Sequence, residues 1–267
     1  MGDSFTHGEC VTPGEEIAGL LREGGREVLN LGIQGHGPLQ ELATLKEYGE
    51  PFKPKQVLWV YYEGNDLLDL LRELESELLL DYLEPEFSQA LLEKQATIDQ
   101  LLMDYIAAEK EKAIASEREK RKPFSQILRN GDRIVKLFHL RQTVHEFMNP
   151  YNEALRVDCT SRLPLFGEIL AEAKQRVGSW SGQLYFVYLP AWERVSGVVE
   201  RENLHCRDDV LRLVEALEIP LIDFHDVMST HSDPLSLFPL RINGHYTAEG
   251  YQLLAQQIER YLEASQQ

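Results

Sequence analysis

The sequence predicts an α/β domain built on a doubly wound parallel sheet with helices on both faces. Short runs rich in β-branched and aromatic residues alternate with amphipathic helical patterns, which calls for crossover connections rather than hairpins. Residues able to do chemistry recur directly after those runs, at the edge where open parallel sheets bind ligands. The chain has 267 residues, 43% of them hydrophobic, enough for one large core.

Taken in order, Thr12-Pro13-Gly14-Glu15 predicts a helix start: a capping threonine, a proline for the first turn and a glutamate to complete a capping box. That helix should run to Arg22 and stop at Gly24-Gly25. Arg26 to Ile33 reads as a short buried strand, Gly35-His36-Gly37 as a loop, and Pro38 to Tyr48 as a second helix. Gln56 to Tyr62 (QVLWVYY) is the next strand. Beyond Asp66 the signal is helical only, with Leu67, Leu70, Leu71, Leu74 and Leu78 at helix spacing. The charge-dense run from Glu109 to Lys122 reads as a solvated face, and Pro123 separates it from an amphipathic stretch carrying Ile127, Ile134, Leu137 and Phe138. Residues 67–150 are thus expected to be a helical insertion or lid within a single domain of residues 1–267. The alternation then resumes: helix over Ser161–Val177, strand over Leu184–Leu189, helix over Arg207–Leu217, strand over Ile219–Phe224, and a last helix over Ala248–Ala264 capped by Thr247.

Charge excludes some partners. At −17, with 44 acidic against 27 basic residues, the chain repels phosphate backbones and anionic lipid, so no nucleic-acid partner is expected. No stretch is long and apolar enough to span a bilayer. Cys10, Cys159 and Cys206 lack metal-ligand spacing, and their odd number does not make a disulfide framework; structural or free thiols are expected. A nucleophile on a strand-to-helix turn needs a strand before it, and Met1-Gly2-Asp3 is too short to be one. The expectation is an amino-terminally truncated chain, which leaves the compartment open.

Four loops carry the chemistry: Gly2-Asp3-Ser4-Phe5-Thr6, Asn30-Leu31-Gly32-Ile33-Gln34-Gly35, Gly64-Asn65-Asp66 and Asn243-Gly244-His245. A serine hydroxyl is a weak nucleophile until a base takes its proton, and His245 can be that base for Ser4. Acyl transfer passes through a tetrahedral oxyanion that needs preorganised donors. The N–H groups of Ser4 and Gly35 and the uncharged amide of Asn65 qualify. Asp3 and Asp66 are expected to brace their own loops by accepting backbone N–H groups, and Phe5, Trp192 and Tyr246 to pack around the site.

These blocks, in this order and spread over residues 2–251, resemble the consensus blocks of the SGNH (GDSL-type) hydrolases. The resemblance implies a flavodoxin-like sheet of strand order 2-1-3-4-5, with Ser4, Gly35, Asn65 and His245 in the four name-giving roles. It also implies ester hydrolysis through an acyl-serine without metal or cofactor, on substrates such as acetylated sugars, short-chain acyl esters or lysolipids. One departure stands out. The family places an aspartate two or three residues before the histidine, where this chain has Asn243 and Ile242. An aspartate-to-asparagine swap in a serine-protease triad costs about 10⁴ in turnover by favouring the wrong tautomer. Orientation of His245 is therefore expected from a backbone carbonyl or from a remote acid, Asp226 or Asp233. Two other readings stay open: a polysaccharide O-acyltransferase using the same residues, and a non-catalytic binding or scaffold protein.

Overall fold

The computed structural model describes residues 1–120, 161–197 and 206–265. The chain divides into two units, residues 1–89 with 158–267, and residues 90–157. In the first unit three strands, β1 (Gln56–Tyr62), β2 (Gln183–Leu189) and β3 (Leu221–Asp223), form a parallel sheet in the order β1-β2-β3. Gln56 pairs with Gln183 through to Tyr62 with Leu189, and Phe186 pairs with Leu221 through to Tyr188 with Asp223.

Side chains alternate across a strand, and both faces here are apolar. Trp59 and Tyr61 of β1 with Phe186 and Tyr188 of β2 enter one buried cluster. There they meet α3 (Pro38–Thr44), α7 (Leu163–Ser179) and α9 (Arg207–Ala216) through residues such as Leu42, Phe166 and Val214. Val60, Tyr62, Val187 and Leu189 enter the other, with Phe5, Leu21 of α2 (Ile17–Glu23), and Tyr251, Leu254 and Ile258 of α11 (Ala248–Ala264). Each fully buried side chain of this size contributes about 1.5–3 kcal/mol. This two-sided burial explains why the strands read as continuous apolar runs rather than alternating ones.

On the free side of β1 lies the amino terminus. The Met1 ammonium donates to Leu58 O at 2.9 Å, Val60 N–H donates to Met1 O at 3.0 Å, and Ile33 N–H donates to Gly2 O at 3.1 Å. Gly2 and Gly32 form a parallel bridge. Burial pushes the Met1 amine down to about 6, against the pull of Glu41. A cavity of about 550 Å³ opens beside Met1, between residues 26–31 and the Lys55–Leu58 edge of β1, floored by Ile17, Leu21 and Leu262. None of Ser4, Gly35, Asn65 or His245 lines it.

Several expectations are corrected. Arg26 to Ile33 is not a strand: apart from the Gly32 bridge it ladders with no neighbour among the described residues, and Arg22 takes Val28 O with its guanidinium at 2.9 and 3.0 Å. The first long helix starts at Ile17, not after Thr12. Thr12 and Glu15 do bond, with Glu15 Oε2 accepting from Thr12 N–H at 3.0 Å and from its hydroxyl at 2.6 Å, but they close an isolated turn ahead of the helix. The helix from Pro38 turns into a wider π-type coil at Leu45–Gly49. The helical insertion was placed from residue 67, yet α4 (Asp66–Glu73), α5 (Glu77–Leu80) and the turn at Asp81–Leu83 belong to the sheet unit. Leu67, Leu70 and Tyr82 are buried there. The second unit begins at Ala90 and holds α6 (Gln95–Lys120), whose Leu101, Met103, Tyr105 and Ile106 are exposed. The amphipathic stretch around Ile127–Phe138 and Cys159 lie outside the described residues. Cys206 is disulfide-bonded, contrary to the thiol expectation, while Cys10 is a free, exposed thiol.

Candidate active site

Ser4 opens a single-turn helix, α1 (Ser4–His7), immediately after the Met1–Gly2 pairing with β1. Asp3 caps it: its Oδ1 accepts Phe5 N–H at 2.9 Å, and its carbonyl accepts His7 N–H at 3.0 Å. The turn is pinned from the side by Asn30, whose Nδ2 donates to Thr6 O at 3.0 Å while its Oδ1 accepts Gly32 N–H at 2.9 Å. Gly32 itself sits so close that a Cβ there would lie 2.3 Å from His7 N. Only glycine permits this approach.

His245 arrives from the other end of the chain. The loop before α11 is fastened by Tyr246, whose hydroxyl donates to Pro190 O at 2.8 Å, and by Thr247 N–H donating to Leu237 O at 2.8 Å. Thr247 then caps the helix, accepting Gly250 N–H, as expected from the sequence. The result is one short contact: His245 Nε2 lies 2.7 Å from Ser4 Oγ. The face of the imidazole is backed by the Phe5 ring at 4.6 Å, and Phe5 in turn meets Tyr62 at 4.0 Å and Tyr246 at 4.9 Å. Asp3 Oδ2 lies farther from Ser4 Oγ, at 3.5 Å, so Nε2 is the nearer partner of the hydroxyl.

Of the expected oxyanion donors, Ser4 N–H has no intrahelical acceptor because it begins its helix. Gly35 sits at φ +76°, a left-handed conformation that suits glycine, in an exposed turn closed by His36 N–H donating to Ile33 O. That turn is tethered to the Ser4 segment through the Ile33–Gly2 bond and through Gln34, whose amide donates to Glu9 Oε1 at 3.3 Å. Asn65 is less available: its Nδ2 donates to Asp69 Oδ2 at 2.8 Å, its amide also bonds the Asp3 carboxylate, and its buried Oδ1 has no partner among the described residues. The helix that Asn65 caps follows β1 directly, as the motif required.

The expected orienting acids are elsewhere. Asp233 is locked to Arg241 by two bonds of 2.7 and 2.8 Å on the surface. Asp226 stands in the first turn of α10 (Phe224–Thr230) beside Asp223 and His225. The Asn243 amide donates to the buried Glu193 of α8 (Trp192–Ser196) at 2.8 Å. Neither these residues nor a backbone carbonyl meets Nδ1 of His245 among the described residues. Instead Cys10 Sγ stands 3.7 Å from Nδ1, and Glu9 Oε2 stands 3.6 Å from Nε2. Sequence reasoning missed both residues. They follow the one-turn helix and come back to the site only because Gly8 and Cys10 take left-handed conformations, at φ +94° and +72°. A non-glycine residue in that conformation leaves no mark in the sequence.

Behind the serine lies a buried acidic cluster. Asp66 accepts Tyr62 N–H at 3.0 Å, bracing the turn as expected. Burial, then Glu41 and Asp3, hold its carboxyl well above the ordinary range. Burial likewise raises Asp3, against the pull of the Phe5 N–H and the Asn65 amide. Glu73 binds Gly37, Leu39 and Gln40 N–H groups at 2.9, 2.9 and 3.1 Å, capping α3 from a neighbouring helix; burial pushes it up to about 7. These carboxyls are structural neighbours of the site, and no group of histidine, cysteine, aspartate or glutamate among the described residues has metal-binding geometry. No helix among the described residues is long and apolar enough to cross a membrane. Comparisons with protein families, with curated proteins and with solved structures return no match to this chain.

Proposed function

We propose that the protein is a serine hydrolase of carboxylic esters, working through an acyl-serine intermediate and related to the SGNH (GDSL-type) hydrolases. The observation that carries this reading is the 2.7 Å contact between Ser4 Oγ and His245 Nε2, residues 241 positions apart in the chain. The parallel order β1-β2-β3, with Met1–Gly2 on the free side of β1 and bridged to Gly32, is consistent with the flavodoxin-like layout.

In the proposed reaction Ser4 Oγ attacks the ester carbonyl carbon while its proton passes to Nε2. Charge on the carbonyl oxygen is received by the N–H groups of Ser4 and Gly35, and by the Asn65 amide once Asp3 or Asp69 releases it. Collapse expels the alkoxide, which takes the proton from Nε2, and water repeats the sequence on the acyl-serine. The substrate class is an acyl or acetyl ester of a small molecule, carbohydrate or lipid.

Hydrolysis of p-nitrophenyl esters of graded acyl length tests this reading. Turnover by the wild type, absent in Ser4→Ala, is the expected result; equal rates for the two proteins would overturn it. One second reading has an observation of its own. The Asn65 amide is engaged by Asp69, and Nδ1 of His245 meets sulfur rather than a carboxylate, which would suit a non-catalytic protein that keeps the fold for binding. Such a protein would bind acyl esters without turning them over.

A further inference from the structure

We propose that Cys10 is the positioning residue of His245, its sulfur accepting the Nδ1 proton where related enzymes would place a carboxylate; the inference rests on the esterase reading. For Nε2, 2.7 Å from Ser4 Oγ, to take the hydroxyl proton as the proposed reaction requires, the imidazole must carry its hydrogen on Nδ1. That hydrogen faces Cys10 Sγ at 3.7 Å, a separation suited to a sulfur acceptor. The other polar groups near the ring among the described residues do not address Nδ1. Glu9 Oε2 and Ser4 Oγ both address Nε2, and the Asp3 carboxylate points to Phe5 N–H and Ser4. The Phe5 ring closes one face at 4.6 Å, so the imidazole cannot swing away without breaking that contact.

The proton bookkeeping needs nothing outside the site. As Oγ bonds to the carbonyl carbon, its proton moves to Nε2 and the ring becomes imidazolium. The Nδ1 hydrogen stays on nitrogen throughout, shared with sulfur, and the Nε2 hydrogen leaves with the alcohol. A thiol is a weaker acceptor than a carboxylate, so this arrangement holds the tautomer while stabilising the imidazolium less. An aspartate in its place should do both. The backbone permits that exchange, because aspartate tolerates the left-handed conformation that Cys10 occupies at φ +72°.

The test measures p-nitrophenyl acetate hydrolysis by wild type, Cys10→Ala and Cys10→Asp, with melting temperatures alongside. The expected result is a kcat at least tenfold lower in Cys10→Ala at unchanged KM, restored to the wild-type level or above in Cys10→Asp. Equal kcat in wild type and Cys10→Ala overturns the proposal, as does a loss that Cys10→Asp fails to restore, since that marks a packing role. Methyl methanethiosulfonate, which caps the exposed thiol as a methyl disulfide, should slow the wild type and spare Cys10→Asp without any mutation in the wild-type chain. Failure of the esterase reading is seen separately, as an inactive wild type. In that event ¹⁵N shifts of the His245 ring still decide the contact: a single Nδ1–H tautomer that becomes mixed in Cys10→Ala supports it, and no change between the two proteins overturns it.

Discussion

The two halves of the site are held in different ways. The Ser4 turn is fixed largely by backbone: a bridge to Gly32, carbonyl and amide bonds to Met1, Gly2 and β1, and the Asp3 cap. The His245 loop leans more on side chains, namely the Tyr246 hydroxyl, the Asn243 amide on Glu193 and the Trp192 indole on Arg241 O, beside the Thr247 N–H on Leu237 O. It also carries two residues at positive φ, Leu240 and Arg241, and leaves Leu240 and Ile242 exposed. The acids differ too. Those behind Ser4 are buried and driven towards neutrality, whereas Asp233 in the histidine loop is exposed and ion-paired. Ser4 is thus set by main-chain geometry that only glycine allows, and His245 by contacts that side-chain changes can tune.

The comparison breaks first where the halves meet. Ser4→Ala and His245→Ala should each lower ester hydrolysis on the order of 10³-fold or more, by similar amounts, because residues that act as a unit do not contribute separately. Steady-state kinetics with melting curves would show activity lost while stability stays. Next comes Gly32→Ala, which breaks the backbone-held half: the added Cβ, 2.3 Å from His7 N, must displace main chain. Overpacking of this kind costs about 3 kcal/mol, read as a large fall in the denaturation midpoint with activity falling alongside.

Smaller effects contrast the two sets of acids. Glu41 has both carboxylate oxygens buried and unpartnered among the described residues, and burial, reinforced by Asp3, holds it well above its ordinary value. In the unfolded chain it ionises near that ordinary value while the folded protein stays protonated. The wild type therefore loses stability as pH rises from there towards the folded value. Glu41→Gln has no proton to lose, so it should match the wild type near pH 4.5 and gain on it with rising pH, by up to about 1.4 kcal/mol per unit of pH within that window. Urea denaturation at a series of pH values would show the gap widening. A gap that narrows with pH would contradict the assignment. Smallest of all, Asp233→Asn should leave both turnover and melting temperature unchanged; a large loss of kcat would restore a remote-acid role for Asp233.

Much of this was legible in the sequence because it depends on local pattern. The runs at Gln56–Tyr62 and Leu184–Leu189 became strands within a residue of where they were read, since buried parallel strands advertise themselves as apolar runs. The last helix and its Thr247 cap were equally plain. The 26–33 run failed because a strand needs a neighbour along its length, which composition does not report. The boundary at residue 67 failed because the leucines of α4 read alike whether they cover a sheet or stand apart. In the site, Ser4 and His245 came together as read, and Gly35 lies on a turn tethered to the serine segment. What turned Cys10 towards Nδ1 was a conformation that no sequence pattern specifies.

The most direct test is fluorophosphonate labelling mapped by mass spectrometry. The account predicts a single phosphonyl adduct on Ser4, formed by the wild-type protein and lost in His245→Ala. A wild-type chain that takes up no label at Ser4, or a His245→Ala chain that labels as fast as the wild type, would contradict the claim that these residues form a nucleophile and its base.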